Sequence, residues 1–229
     1  MSTVFNFTFV PWFRSVAPYI HMHRGKTFVV GVVGEAIAAG KLAAIATDLA
    51  LIQSMGVRIV LVHGFRPQVN EQLHAKGHEP RYSHGMRITD EVALDCAQEA
   101  AGQLRYEIEA AFSQGLPNTP MAGSKVRVIS GNFLTARPMG IIDGVDFRHT
   151  GVVRKVDATG IRHSLDSGAM VLISPFGFSP TGEAFNLRME EVATSVAIAL
   201  HADKLLFLTE VPGVRIRPEE PASDDNPID

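Results

Sequence analysis

Short apolar segments alternate with amphipathic segments along most of this chain, and this alternation restricts the fold more than any other feature. Four apolar segments predict strands, the first two of them buried: Thr27–Val33, Val57–Val62, Ala169–Ser174 and Lys204–Leu208. Helical periodicity separates them: one face carries Leu42, Ile45, Leu49 and Ile52, and Met189–His201 directs Val192, Val196 and Leu200 inward. Repeated strand–helix–strand order predicts an α/β fold with a mainly parallel central sheet and helices on both faces.

The longest predicted helix runs from about Thr89 to Gln114, with Thr89 as the N-cap residue and Gly115 at its end. Further helices are expected at Pro67–Lys76 and from Asp157 to Gly168. Because open parallel sheets bind ligands beyond the carboxyl ends of their strands, the turns after Val33, Val62 and Ser174 are the expected site.

Composition excludes several classes of protein. The net charge of −3 gives no general reason to bind nucleic acid or an anionic membrane. No apolar run approaches the ~18 residues of a membrane span, and Met1–Phe13 lacks the features of a secretory signal. Cys96 is the single cysteine, so an intramolecular disulfide is impossible and a buried thiol in a cytoplasmic protein is expected. His21 and His23 have no third ligand at metal-binding spacing.

The two ends differ from the centre. Pro11–Tyr19 predicts a short aromatic helix that Pro18 kinks or ends, and this helix must pack on its own domain or on a neighbouring subunit. Residues 215–229 are acidic and proline-rich, which is typical of a linker and suggests that the natural protein continues beyond Asp229. The expected organisation is a helical arm over residues 1–24, a main domain over 25–214 and a linker over 215–229.

Six turn segments carry the polar residues and glycines, in this order: Gly31–Glu35, His63–Asn70, Arg87–Asp90, Ser130–Phe133, Phe185–Arg188 and Leu208–Val214. In their order and separation these segments resemble the amino-acid-kinase family, and within it N-acetylglutamate kinase. The resemblance extends from about Thr27 to Val214 and implies the amino-acid-kinase (carbamate-kinase-like) fold.

The residues expected to handle phosphate depart from the family's pattern. Gly31 stands where the family has a lysine, and Val33-Gly34 replaces its pair of glycines. Gly64-Phe65-Arg66 replaces three glycines, so two side chains are expected to block backbone approach to a phosphate. Arg188 and Glu190 replace an asparagine and an aspartate. Phosphoryl transfer requires cations and backbone amides around the phosphates, so the resemblance implies that this site has been lost.

Other positions retain the character of an amino-acid site. Arg87 could hold a carboxylate in bidentate fashion, with Thr89 and Asp90 fixing the helix that follows; the alternative is a surface salt bridge. Asn186 is either a ligand residue or a turn-forming residue. His63 is more consistent with a hydrogen-bonded turn histidine than with catalysis.

The N-terminal stretches Phe13–Ile20 and His23–Val29, with Asp143–Asp146 and Thr181–Leu187, closely resemble the kinase-like domain of bacterial N-acetylglutamate synthases. In that family a second domain of the GNAT type transfers acetyl from acetyl-CoA to glutamate, the first step toward arginine. The resemblance implies that this chain lacks the GNAT half, is catalytically silent, holds no cofactor of its own and forms a homo-oligomer through its N-terminal helix.

The same resemblance implies that the kinase-like half binds L-arginine as a feedback inhibitor, between the N-terminal helix and the carboxyl-end lobe of the sheet. The matching positions are Tyr19 and Lys204, for which helix packing and a surface lysine are the alternatives. Two other functions stay open: an active N-acetylglutamate kinase, and a structural scaffold that binds no small molecule.

Overall fold

The computed structural model of the protein describes residues 9–115 and 125–210. The helices are α1 (Phe9–His23), α2 (Gly34–Ala38), α3 (Leu42–Ser54), α4 (Arg66–Ala75), α5 (Glu91–Ser113), α6 (Ala158–Asp166) and α7 (Met189–Leu200). The strands are β1 (Thr27–Val32), β2 (Arg58–His63), β3 (Tyr82–Ser83), β4 (Met86–Arg87), β5 (Val128–Ser130), β6 (Leu134–Pro138), β7 (Ile141–Ile142), β8 (Val145–Asp146), β9 (Gly151–Val156), β10 (Met170–Ile173), β11 (Phe176–Phe178), β12 (Ala184–Asn186) and β13 (Lys204–Leu208).

The central sheet is parallel in all its pairings, in the order β13-β1-β2-β10-β5. This arrangement confirms the predicted α/β class. The strands predicted at both ends of the chain lie side by side, with Phe28 of β1 opposite Lys204 of β13. The carboxyl ends of β13, β1, β2 and β10 therefore meet at one edge of the sheet, which we call the carboxyl edge; Lys204 lies at the opposite, amino edge.

Alternate residues of the central strands enter two separate cores. On one face Val30, Ile59 and Leu61 pack with residues of α3, α4 and α5. On the other face Val29, Val60 and Val62 pack with residues of α6 and α7. Because both faces are covered, the central strands are continuous apolar runs instead of alternating ones. Cys96 of α5 is fully buried in the first core, as predicted.

A mixed four-stranded sheet, β12-β11-β6-β9, is formed by strands that lie between Leu134 and Asn186 in the chain. Two short hairpins, β3–β4 and β7–β8, stand apart from both sheets. The β12 strand ends at Asn186, directly before α7, so this sheet extends from the carboxyl edge of the central one. Residues supplied by the mixed sheet can therefore reach a ligand at that edge.

Two helix boundaries differ from the prediction. The N-cap residue of α5 is Asp90, whose carboxylate accepts a hydrogen bond from the Ala93 N–H at 3.0 Å. Thr89 is fully buried and uses its hydroxyl elsewhere, so its predicted capping role is wrong. Helix α1 continues through Pro18 as far as His23, so the proline does not end it.

Helix α1 is largely exposed: none of its residues is buried by the described part of the chain, and Val16, Ala17, Ile20 and His23 are half-buried. Trp12 is 58% exposed and Tyr19 is 61% exposed. The rings of Phe9 and Phe13 stack on each other with their centroids 6.0 Å apart. Of the two predicted alternatives for this aromatic helix, burial against its own domain is not observed within the described part of the chain. The linker expected at residues 215–229 lies outside the described residues.

Candidate functional site

A cavity of about 340 Å³ opens at the carboxyl edge of the central sheet. It is bordered by the turns that follow β1, β2, β10 and β13, represented by Gly34, Gly64, Pro175 and Thr209. The β3–β4 hairpin and the end of β12 complete it. The sequence placed the ligand site at the first three of these turns, and the structure brings them together.

At position 31, where the resemblance implies a lysine, neighbouring side chains lie close to the β1 backbone. A β-carbon added to Gly31 would lie 2.7 Å from Cδ1 of Phe207 and 2.8 Å from Sδ of Met189. Real β-carbons essentially never approach other atoms so closely. Phe207 and Met189 therefore occupy the space through which a phosphate-binding lysine would pass.

The turns after β1 and β2 also pack closely against each other. A β-carbon on Gly64 would lie 2.8 Å from the backbone nitrogen of Gly34, and one on Gly34 would lie 2.8 Å from Cδ of Pro67. Phe65 borders the cavity but is buried in the core, with its ring edge-on to His63 at 6.2 Å. Of the two side chains expected to block backbone approach, Phe65 is therefore buried and Arg66 is exposed at the cavity.

Three carboxylates border the cavity: Glu35 after β1, Glu210 after β13, and Glu190 in the first turn of α7. Glu210 forms an ion pair with Lys41 at 3.0 Å. Arg188 is the N-cap residue of α7 and is exposed, as is Glu190. Glutamates at a helix N-terminus occupy the electrostatically positive position that a phosphate would otherwise use. This side of the cavity is therefore unfavourable for a nucleotide.

Arg87 is the most deeply buried cation of the cavity, 8% exposed at the end of β4. Its Nη2 donates to Oδ1 of Asn70 at 2.6 Å and to the Arg66 carbonyl at 3.4 Å. The guanidinium lies 5.0 Å from the centroid of the Tyr82 ring, and the Tyr82 hydroxyl donates to the same Asn70 oxygen at 2.9 Å. A surface salt bridge, the alternative interpretation of Arg87, is thus wrong.

The other terminal nitrogen of Arg87, Nη1, is buried and has no hydrogen-bond partner within the described chain. Burial lowers the pKa of Arg87 from its ordinary value, and the nearby Arg66 acts in the same direction. No carboxylate of the described residues forms an ion pair with it. A buried guanidinium normally has an anion beside it, because desolvation penalises an unpaired charge.

A chain of hydrogen bonds fixes the backbone of Arg87. The Asn186 side-chain amide donates to Oγ1 of Thr89 at 3.0 Å, and Oγ1 of Thr89 lies 2.8 Å from Oγ1 of Thr150. The Thr150 hydroxyl donates to the Arg87 carbonyl at 2.6 Å. Since that donation uses the only hydroxyl hydrogen of Thr150, Thr89 must be the donor between the two threonines. These three hydrogen bonds are therefore all donated in the same direction, from Asn186 through Thr89 and Thr150 to the Arg87 carbonyl.

Asn186 is the last residue of β12, is buried and borders the cavity. The alternative of a turn-forming residue is therefore wrong. Sequence reasoning missed Thr150, Asn70 and Tyr82. Thr150 precedes β9 within an irregular β region, and no local pattern separates it from its neighbours. Asn70 was part of the His63–Asn70 motif, but its distance from Arg87 along the chain concealed the contact.

His63, at the end of β2, is fully buried. Its Nε2 lies 2.8 Å from Oγ of Ser174 and its Nδ1 lies 3.2 Å from the Gly64 carbonyl. Since a carbonyl only accepts, Nδ1 carries the hydrogen and Nε2 accepts from the Ser174 hydroxyl. Burial lowers the pKa of His63 to about 4. The ring is therefore neutral and fully bonded, as the structural interpretation predicted.

Tyr19 and Lys204 lie away from the cavity. Lys204 is exposed at the amino edge, and Tyr19 is exposed on α1, which leads into the start of β1 at that same edge. The structure thus separates the two positions assigned to arginine from Arg87 and Asn186. Nothing in the described residues tests whether the first two bind a ligand.

Within residues 9–115 and 125–210, no helix is long and apolar enough to cross a membrane. Over the same residues, no group of three histidine, cysteine, aspartate or glutamate side chains is arranged to hold a metal ion.

Comparisons with known proteins give a consistent family. The chain is 60% identical over 209 residues to an amino-acid acetyltransferase of Ralstonia nicotianae. This aligned region covers 91% of this chain and 46% of that protein. It is 52% identical over 206 residues to an amino-acid acetyltransferase of Pseudomonas fluorescens, covering 90% and 48%. The chain thus spans about half the length of these relatives.

Among solved structures, N-acetylglutamate synthase from Neisseria gonorrhoeae, complexed with coenzyme A and L-arginine, matches with a TM-score of 0.86. The two are 42% identical, and the match covers 94% of this chain and 50% of that one. Residues 26–229 match the family model of the amino acid kinase family. The chain belongs to the amino acid kinase family.

Proposed function

We propose that this chain is the kinase-like portion of an amino-acid acetyltransferase, the enzyme that makes N-acetylglutamate from acetyl-CoA and L-glutamate, and that this portion senses L-arginine and assembles the oligomer. The likeness to amino-acid acetyltransferases over nine-tenths of the chain carries the proposal. Acetyl transfer belongs, in this proposal, to the part of those relatives that this chain does not match. The chain itself contributes no cofactor site, and the setting is the cytoplasm.

The filled position at Gly31 argues against the alternative of an active N-acetylglutamate kinase. A kinase needs a cation at the transferring phosphate, and Phe207 and Met189 occupy the path of such a side chain. Arg66 is exposed at the cavity, but three glutamates border the same space. Turnover of ATP with N-acetylglutamate would contradict this part of the proposal.

Tyr19 and Lys204 are the proposed contacts for arginine. The Lys204 ammonium is exposed and forms no ion pair with the described residues, so it is available to the ligand carboxylate. The Tyr19 ring offers an aromatic face to which a guanidinium binds favourably. Support also comes from the Neisseria gonorrhoeae synthase, whose solved structure includes L-arginine.

Helix α1 is the proposed contact between subunits. It presents exposed aromatic side chains and buries none of its residues in its own chain. A contiguous apolar surface of this kind marks a protein–protein contact more often than a solvated face. A second copy of the chain is the proposed occupant, since an isologous contact would cover both helices at once.

Thermal unfolding of the chain with L-arginine, L-lysine and L-ornithine tests the sensing role. L-arginine should raise the melting temperature more than the other two, because ligand binding to the folded state stabilises it. Lys204→Ala should remove this shift, while Lys155→Ala, which removes another exposed lysine, should retain it. Equal shifts for all three amino acids would contradict selective arginine binding.

Sedimentation separates sensing from assembly. Trp12→Ser on α1 should reduce the oligomer, whereas Tyr106→Ser, which changes an even more exposed aromatic residue on α5, should not. A stable oligomer with no response to arginine would favour the scaffold alternative. A monomer at all concentrations would contradict the role of α1.

A further inference from the structure

Two histidine–carboxylate pairs lie beside the wall of the cavity that the β3–β4 hairpin forms. This hairpin supplies Tyr82, Gly85, Met86 and Arg87 to the cavity, and each of its strands has only two residues. A two-stranded hairpin is at best marginally stable alone. The contacts that hold the hairpin from outside therefore decide how firmly this wall of the cavity stays closed.

The β7–β8 hairpin, which does not border the cavity, is joined to the β3–β4 hairpin at both ends. At the bases, Thr89 and Arg148 form an isolated β-bridge, and the His149 N–H donates to the Thr89 carbonyl at 2.9 Å. At the tips, Nε2 of His84 lies 3.2 Å from Oδ2 of Asp143. The β7–β8 hairpin thus braces the cavity wall, and the contact at the tips depends on a titratable side chain.

The two tips have the same backbone conformation. The φ angles are +50° at His84 and +70° at Gly85, and they are +50° at Asp143 and +79° at Gly144. Positive φ at both central residues defines a type I′ turn, whose twist matches that of the flanking strands. His84 and Asp143 therefore occupy the same position in two regular turns.

The second pair is formed by His149 and Glu183, which directly precedes β12. Nδ1 of His149 lies 3.9 Å from Oε1 of Glu183, and this nitrogen is buried without a hydrogen-bond partner in the described chain. The His149 carbonyl accepts a hydrogen bond from the Asn186 N–H at 2.9 Å, so its backbone joins two strands beside the cavity. A protonated imidazole donates from both nitrogens, and protonation would therefore give Nδ1 a carboxylate partner.

The remaining charged groups of the two hairpins and their bases have other contacts. These contacts are the ion pair of Arg81 with Asp90 at 2.9 Å and the hydrogen bond from the Arg148 N–H to Asp146 at 2.9 Å. Among the described residues, Asp143 is the one acid in ion-pair contact with His84, and Glu183 is the one in contact with His149. The charge of each histidine therefore acts on a single carboxylate.

We propose that His84 and His149 form a proton-dependent clamp on the cavity wall, which tightens when their protonated rings pair with Asp143 and Glu183. Histidine is the side chain whose charge ordinarily changes between about pH 5 and 8. In the charged state, one pair joins the two hairpins and the other joins His149 to the β11–β12 turn. In the neutral state the tip contact loses its charge-assisted character and Nδ1 of His149 stays unpaired, so the wall opens more often.

Hydrogen exchange of the chain at about pH 5.5 and about pH 8, with rates corrected for the intrinsic effect of pH on amides, tests the clamp. Protection of the amides in Tyr82–Arg87 should be about twofold to fivefold higher at the lower pH, the range for an exposed ion pair. Burial of neutral His63 destabilises the whole fold in acid, so the amides of β2 should show no such gain. Equal protection of the hairpin at both pH values, or an equal gain in β2, would overturn the proposal.

The double variant Asp143→Asn, Glu183→Gln removes both carboxylates from exposed side chains. Asn-Gly is a favoured type I′ sequence, so the tip of the β7–β8 hairpin keeps its turn. The pH-dependent gain should disappear in this variant. Glu79→Gln is the matched control, because it removes the carboxylate 3.5 Å from another exposed histidine, His74, outside both hairpins. This control should retain the gain, and a gain that persists in the double variant would show that the two pairs do not hold the wall.

Discussion

Gly31 and Phe207 are register partners on neighbouring parallel strands, and the Phe207 ring lies where a side chain at position 31 would begin. A side chain at position 31 and the Phe207 ring in its present position therefore compete for the same space. A side chain at position 31 would require the Phe207 ring, which is 40% exposed on the edge strand, and the Met189 side chain to shift. A lysine at position 31 would therefore need the neighbouring side chains to repack.

Gly31→Lys should destabilise the protein by about 1–3 kcal/mol, because overpacking a filled strand interior forces neighbours off their rotamers. It should also fail to produce phosphorylation of N-acetylglutamate. Urea unfolding and an ATP-turnover assay measure the two effects. Gly102→Ala is the control, because a β-carbon at that position meets nothing within 4 Å. Since alanine favours a helix more than glycine does, this variant should raise the free energy of unfolding by about 0.5–1 kcal/mol.

His63 should make stability fall as the solution becomes acidic. Its pKa is about 4 in the folded protein, whereas the ordinary pKa of histidine, expected in the unfolded chain, is 6.5. The unfolded chain therefore binds more protons between these two values. The contribution is fully present above pH 6.5 and decreases as the pH falls toward 4, with a total of about 3 kcal/mol.

The variant His63→Gln isolates this effect. Glutamine can still accept from Ser174 but does not titrate, so its free energy of unfolding should depend less steeply on pH between about 4.5 and 6.5. Urea unfolding of both proteins at several pH values gives the comparison. Parallel pH profiles would show that His63 does not titrate as described.

Asp90→Ala should destabilise the protein by about 1 kcal/mol, because the first turn of α5 loses the acceptor for the Ala93 N–H. Asp90→Asn keeps a good N-cap acceptor and loses the exposed ion pair with Arg81, so its effect should be much smaller. Chemical denaturation of both variants decides between capping and charge. A larger loss in Asp90→Asn than in Asp90→Ala would reverse the assignment.

Thr150→Val should cost about 1–3 kcal/mol, because the buried Arg87 carbonyl and Thr89 hydroxyl would lose their partner. Thr194→Val on α7 also removes a threonine hydroxyl, but one that bonds its own helix at the surface, and should change stability by less than about 0.5 kcal/mol. Thermal unfolding of the two variants provides the measurement.

The sequence predicted the fold well where a single period dominates. The buried runs that became β1, β2 and β10 are distinctive, and the exposed edge strand β13 was placed residue for residue at Lys204–Leu208. The predicted start of a helix was less accurate where two neighbouring polar residues both suit the N-cap position. Thr89 and Asp90 both suit an N-cap, and the burial of Thr89 against Thr150, which no local pattern reveals, decides for Asp90.

The site was predictable as a set of turns but not as a set of contacts. Arg87, Asn186 and the degenerate glycine positions were identified from the sequence, and all of them border the cavity except Gly31, which lies under it in β1. The partners Asn70 and Thr150 could not be found, since each meets Arg87 through tertiary packing. Tyr82 is the cross-strand partner of Arg87 in the β3–β4 hairpin, which the sequence analysis did not predict. The same holds for Phe207, whose role depends on its register with Gly31.

The single cysteine gives the molecule a built-in reporter. Cys96 is fully buried in the core beneath α5, and the chain has no other thiol. A thiol reagent can therefore react only with molecules in which α5 has opened from the sheet, and its rate follows the population of that opened form. The rate of this one reaction can therefore compare how strongly different ligands and substitutions stabilise the closed form, without adding any label to the protein.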